Sequence, residues 1–370
     1  MNKTAKAITL VAVTALAVAG CGSKPTSNTN AGSSGNTSGG MTSKPPAQNA
    51  SFTGCMVSDV GGFNDKSFNQ TSLLGLQNAV KDYGIKMAKI QSNSPSEYAG
   101  NINAMISAHC NSIVTVGFTL AAATETAAKK NPSVDFAIVD NAYTKPPTNL
   151  KGLVFNTAQP AFLAGYLAAG MSKNKVVGTY GGQNIPPVTI YMDGFWDGVQ
   201  YYNQKHNDKV QVIGWNEKTQ NGTFTNDFTT KVKGQTTAQN MISQGADIIF
   251  PVAGADGLGA LQAAKDSGGK VNAIWVDTDG CVSAPEYCSV LLTSAEKNMQ
   301  VAVESAVKAV LGKTFTNTPY VGTFSNGGVG LAPFHDWAGK IPTALQDELK
   351  QVKQELISGT IKIASPAIPK

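Results

Sequence analysis

Two stretches of this chain carry the same strand–helix–strand pattern, and that duplication limits the fold more than any other feature of the sequence. Residues 103–111 (NAMISAHCN) lead into an apolar run at 112–116, then Gly117, a helical stretch at 121–130 and a run at 136–139 that stops at Asp140. Residues 239–247 (QNMISQGAD) lead into 248–252, then Ala253 and Gly254, a helical stretch at 258–266 and a run at 273–276 that stops at Asp277. Met105 aligns with Met241 and Asp140 with Asp277, with one insertion between the registers. A further strand, helix and strand precedes each copy, at 52–58, 67–83 and 86–91 in the first half and at 175–181, 189–205 and 209–215 in the second. Strands alternating with helices form parallel sheets covered on both faces. The fold class is therefore α/β with two lobes, and a ligand site is expected where strand carboxyl ends meet helix N-termini. The repeat predicts that each lobe donates a carboxylate there, Asp140 from one and Asp277 from the other. The plainer alternative makes each a helix cap or strand stop.

The first such junction, residues 59–69 (DVGGFNDKSFN), is the richest in ligand-binding chemistry. Gly61 and Gly62 permit close backbone approach, Asp59 and Asn69 offer hydrogen-bonding ends, and Phe63 and Phe68 offer flat apolar faces. Phe68 lies off the Leu73, Leu76 and Val80 stripe of its helix, which directs it away from the core. Trp215 follows the Val210, Val212 alternation to a strand end, where a core role competes with a binding one. Lys297 reads as opening a helix over 296–311, an awkward place for an ammonium unless an anion such as Asp277 compensates. Phe195 and Trp196 read as helix packing.

The start of the chain reads as an export signal: Lys3 and Lys6, an apolar stretch at 7–19, and small residues up to Cys21. The apolar stretch is shorter than the roughly 20 residues a membrane span needs. Its end has the form of a lipobox, in which Cys21 becomes the lipidated first residue; a plain signal peptide is the alternative. Residues 22–50 are almost wholly Ser, Thr, Asn, Gly, Pro, Gln and Lys, a composition that cannot offset ordering entropy, and read as a flexible tether. What remains exceeds a single core, so two domains are expected.

Cys55, Cys110, Cys281 and Cys288 are then an even set in an oxidising compartment. Three pairings are possible. Cys55–Cys110 and Cys281–Cys288 are favoured, because the second closes a short loop and the first joins neighbouring strand ends; free buried thiols are the alternative. His109, His206 and His335 are scattered and no Cys-x-x-Cys occurs, so no metal site is expected. All 29 basic residues are lysines. The absence of arginine counts against an anion held by a bidentate clamp. A net charge of +5 with 14% charged residues is no nucleic-acid footprint. No nucleophile with a base beside it, and no Gly-x-Ser-x-Gly elbow, marks a catalytic residue, so neither enzyme activity nor a cofactor is expected.

Read in order, residues 59–69, the Asp140 strand end, Val252-Ala-Gly254, Val276-Asp277, Thr293-Ser-Ala-Glu-Lys297, Gly152-Leu-Val-Phe155, residues 161–165 and residues 320–334 give a pattern that resembles the basic membrane protein family of substrate-binding lipoproteins, of the purine nucleoside receptor type. The resemblance covers residues 52–360. It implies the type I periplasmic binding protein architecture, two Rossmann-like lobes joined by three crossovers and closing on a ligand, with 51–157 plus 279–320 in one lobe and 158–278 plus 321–370 in the other. It implies a monomeric, lipid-anchored receptor on the outer face of the cell membrane that delivers a nucleoside (adenosine, guanosine, inosine or similar) to an ABC permease and ATPase. By position, Phe68 would be one aromatic wall for the base and Trp215 the second, with Phe224 or Phe228 as substitutes because 216–233 is longer than the family pattern. Asp140 would bond the base edge, Asp59 or Asn69 would assist, and Asp277 with Lys297 would hold ribose beside Gly254. Carboxylates suit these donors and would repel a phosphate.

Rival readings are a sugar receptor of the same fold, a secreted nucleoside hydrolase, and a surface receptor without transport.

Overall fold

The computed structural model describes residues 49–369. The expected signal, Cys21 and nearly all of the expected tether lie outside them. Asn49, expected as tether, instead donates Nδ2 to the Tyr83 carbonyl at 2.7 Å and so belongs to the folded body. No helix among the described residues is long and apolar enough to cross a membrane.

The chain begins with β1 (Thr53–Ser58), α1 (Phe68–Tyr83), β2 (Lys86–Gln91), α2 (Tyr98–Ser107), β3 (Ser112–Val116), α3 (Ala121–Lys130), β4 (Asp135–Val139) and β5 (Leu150–Phe155). It continues with α4 (Ala158–Met171), β6 (Val176–Gly181), α5 (Pro186–His206), β7 (Gln211–Ile213), β8 (Trp215–Asn216), β9 (Asn221–Gly222), α6 (Lys231–Ser243), β10 (Ile248–Val252), α7 (Gly254–Asp266) and β11 (Asn272–Asp277). The last part holds α8 (Gly280–Ser283), β12 (Leu291–Lys297), α9 (Met299–Leu311), β13 (Tyr320–Gly322), β14 (Val329–Leu331) and α10 (Thr343–Ser358).

One sheet runs β13-β5-β4-β3-β1-β2 and the other β14-β12-β11-β10-β6-β7, so the two share a strand order from the repeat outward. All neighbours within them are parallel except β12 and β14. The central strands are buried on both faces, as continuous apolar runs between helical layers require: β3, β10 and nearly all of β11 are inaccessible. Helix α4 is apolar all round and buried, packed on α5 at a contact where a Cβ on Gly165 would lie 2.0 Å from the Phe195 carbonyl. Only glycine lets the two backbones approach so closely.

The chain crosses between sheets after β5, at Asn298, and between β13 and β14. The expected boundary at residue 279 is therefore displaced. Leu291–Lys297 pairs with β11 and β14 in the second sheet, because it is a buried strand and not, as expected around Lys297, the start of a helix. Helix α9 begins two residues later and returns to pack on α1. The expected strand through Trp215 also breaks. Gly214 adopts a left-handed backbone (φ 84°) with no room for a side chain, since a Cβ would meet the Thr179 carbonyl at 2.1 Å. The chain turns there, and Trp215 enters a small separate hairpin with β9.

Both favoured disulfides are present, Cys55–Cys110 joining β1 to the residues before β3, and Cys281–Cys288 closing a short loop.

Candidate functional site

The carboxyl ends of the two sheets enclose one cleft. Its lining includes Asp59, Phe68, Asn69, Gly117 and Asp140 from the first sheet's side, and Tyr191, Phe228, Gly254, Asp277 and Lys297 from the second's. Seven of the eight residues expected at the site are thus brought together.

Asp140 and Asp277, equivalent in the repeat, share an unusual backbone: φ is 68° at one and 70° at the other. Left-handed conformations at non-glycine residues cost about 1–3 kcal/mol and persist where the surroundings over-determine them. Here both carboxylates converge on one cation. Lys297 Nζ lies 2.7 Å from Asp140 Oδ2 and 3.3 Å from Asp277 Oδ1, with its side chain almost wholly buried. Burial pushes the lysine down and the two carboxylates pull it up, leaving it above its ordinary value and charged. The ammonium also sits 4.5 Å from the centre of the Phe68 ring.

Asp277 is further held by Tyr191, whose hydroxyl donates to Oδ1 at 3.1 Å, and by Ser67, whose hydroxyl donates to Oδ2 at 2.5 Å from the opposite side of the cleft. Neither Tyr191 nor Ser67 is among the residues expected at the site. Tyr191 lies within the interior of α5, where an aromatic reads as core, and indeed it is buried.

The loop at 59–69 is organised by Asp65, also missed. Its carboxylate accepts the backbone N–H groups of Ser67, Asn69 and Gln70, closing the start of α1, and the Asn69 side-chain amide at 3.1 Å. The second hydrogen of that amide goes to Asp59 Oδ1 at 2.8 Å. Both donors of Asn69 are therefore used, and its carbonyl oxygen is buried with no partner. Burial pushes Asp59 up to about 6 and Asp65 up to about 7, against the opposing pull of these hydrogen bonds. An aspartate two residues before a Ser–Phe–Asn helix start is a capping signal that would have pointed to Asp65.

Trp215 is not at the cleft. It is 4% exposed, its indole donates to the buried Asp193 at 3.0 Å, and its ring meets Phe224 edge-on at 6.0 Å. The turn at Gly214 carries it into the body of the second lobe. Phe228, from the long segment that follows, lines the cleft instead, anchored where its carbonyl accepts from Asp256 N at 3.2 Å and where Asp227 N donates to the Gly182 carbonyl at 3.1 Å.

Away from the cleft, Asp279, Cys281 and His335 converge within metal-binding distance. The Cys281 sulfur is committed to its disulfide, which leaves an Asp279–His335 pair at 2.7 Å.

Residues 52–366 match the family model described as ABC transporter substrate-binding protein, PnrA-like. The chain belongs to this family. Its relatives are of nearly its own length. A CD4+ T-cell-stimulating antigen of Listeria monocytogenes is 31% identical over 330 residues, covering 84% of this chain and 88% of the relative. The ABC transporter nucleoside-binding protein BmpA of Lactococcus lactis is 29% identical over 332 residues, with the same coverage of 84% and 88%. Among solved structures, a solute-binding protein of an ABC transporter system from Aeropyrum pernix superposes with a TM-score of 0.77 at 25% identity, covering 85% of this chain and 94% of that one. The two-lobe substrate-binding fold of this PnrA-like chain is thus shared, and the family is a transporter component.

Proposed function

We propose that this protein is a receptor for nucleosides, of the purine class, held outside the cell membrane through a lipid on Cys21 and serving the permease and ATPase of an ABC importer as a monomer. The observation that carries the reading is the presence of Phe68 from one lobe and Phe228 from the other in a cleft whose ionisable groups are four carboxyls and one lysine, Asp59, Asp65, Asp140, Asp277 and Lys297. Flat apolar faces suit a base. Carboxylates suit the hydroxyl donors of ribose and the N–H groups of a purine. The unpartnered Asn69 carbonyl oxygen is a further acceptor.

Stacking on an aromatic contributes about 1–3 kcal/mol per base, and a hydrogen bond to a charged group about 1.5–3. After the cost of immobilising ligand and lobes, two walls and a few such bonds give ~8 kcal/mol, or micromolar affinity. The excess of negative charge disfavours a phosphate, so nucleosides are expected to bind over nucleotides. The Lactococcus lactis relative named as nucleoside-binding supports the same cargo.

Calorimetry with adenosine, guanosine and inosine, set against their monophosphates and a panel of pentoses and hexoses, tests the reading. Preference for a free sugar would replace it with a sugar receptor, and release of hypoxanthine from inosine would replace it with a hydrolase.

A further inference from the structure

Trp275 lies two residues before Asp277, at the position that Ile138 occupies in the first copy of the repeat. The first copy keeps this position aliphatic, whereas the second places there an indole with no exposure to solvent. The ring is wedged between α7 and α8 by two glycines: a Cβ on Gly257 would lie 3.0 Å from its Cζ3, and one on Gly280 3.1 Å from its Cδ1. With the ring fixed, its single polar atom is fixed too. That atom does not bond within its own lobe. Nε1 donates to the carbonyl of Lys66, on the first lobe's loop, at 3.3 Å.

Lys66 is shaped for this contact. Its φ of 60° is left-handed, a conformation unfavourable to a non-glycine residue. The loop is held around it by Asp65, which takes the N–H groups on the far side, and by Ser67, which reaches Asp277. Neither Trp275 nor Lys66 lines the cleft. Opening the lobes parts the indole N–H from this carbonyl, so the closed state alone holds the bond, and its loss touches no group that faces cargo.

We propose that Trp275 and Lys66 form a latch between the lobes that sets how long cargo stays, separately from the residues that recognise it. The inference rests on the cleft being the cargo site. The two are positioning residues: they act on the ligand only through closure, so their loss falls on dissociation and leaves encounter alone.

The test is Trp275→Phe in the full protein, which keeps an aromatic ring and removes the N–H. Stopped-flow binding of inosine is expected to show a dissociation rate about tenfold higher, equivalent to about 1.4 kcal/mol, with the association rate within about twofold of the original. An unchanged dissociation rate, or a loss confined to association, overturns the latch. Should Trp275→Phe not fold, hydrogen exchange of the Trp275 indole N–H is read in the unsubstituted protein, its resonance assigned from Phe replacements of the other three indoles. Slower exchange with inosine supports the latch, and equal exchange overturns it. If the unsubstituted protein takes no nucleoside, the cargo reading fails by itself. The latch is then judged by X-ray scattering of the empty protein, where Trp275→Phe must enlarge the radius of gyration and an unchanged value overturns it.

Discussion

Asp140 follows a strand of one sheet and Lys297 ends a strand of the other, yet their side chains meet at 2.7 Å, so the ammonium that Asp277 balances within its own lobe is also balanced from across the cleft. Removing one partner of such a buried pair strands the other in a medium that solvates it poorly.

Lys297→Met is therefore expected to leave Asp140 and Asp277 uncompensated and to destabilise the protein by about 3–5 kcal/mol, read from the urea midpoint. Adding Asp140→Asn is expected to restore part of that loss, because the second substitution removes a charge that no longer has a partner. Strict additivity of the two losses would show that the pair is not coupled.

Phe68→Ala and Phe228→Ala are each expected to weaken nucleoside binding at least tenfold by calorimetry while the empty protein melts within a few degrees of the original, since stacking on each ring contributes about 1–3 kcal/mol. Trp215→Phe separates site from core: it deprives buried Asp193 of a donor, so the melting temperature should fall with affinity nearly unchanged. The reverse pattern would return Trp215 to the cleft.

The acid response follows from groups whose folded values stand above their ordinary ones. Burial pushes Asp59 to about 6 and Asp65 to about 7, and Asp256 and Asp197 elsewhere to about 7 and about 6. A carboxyl that holds its proton more tightly when folded adds stability that is complete below its unfolded value near 4 and is lost as pH rises through 6 to 7. The melting temperature is expected to rise as pH is lowered from 8 to 5, and Asp59→Asn should flatten part of that slope. A fall over the same range would contradict the assignment.

The two disulfides close loops of very different length, with sequence separations of 55 and 7. In the chain-entropy account the longer is worth about 4 kcal/mol and the shorter about 2.5. Replacing both Cys55 and Cys110 by alanine should lower the denaturation midpoint more than replacing Cys281 and Cys288.

What could be read in the sequence was whatever local periodicity and the repeat encode. The duplicated strand ends placed Asp140 and Asp277 together, and the helical stripe pointed Phe68 away from the core. Lys297 does line the cleft but was wrongly housed, because an apolar run leading into Met299, Val303 and Val307 does not reveal where strand yields to helix. Trp215 failed for a different reason: the alternation of Val210 and Val212 runs on to residue 214, where Gly214 turns the chain, so Trp215 falls out of phase and beyond the strand. Tyr191 and Ser67 were hidden because their value lies in partners more than 80 residues away in sequence, which no local pattern carries.

Phe228 arrives on an irregular connection, while Phe68 is built into the first turn of a helix. One jaw of the receptor is consequently hard-wired into its scaffold and the other is a replaceable insert, tied down by main-chain bonds to Gly182 and Asp256 that do not depend on which side chain it presents. Grafting a different segment between Gly222 and Lys231 would retune cargo choice while both sheets stay as they are, which makes that stretch the natural handle for engineering biosensors from this molecule.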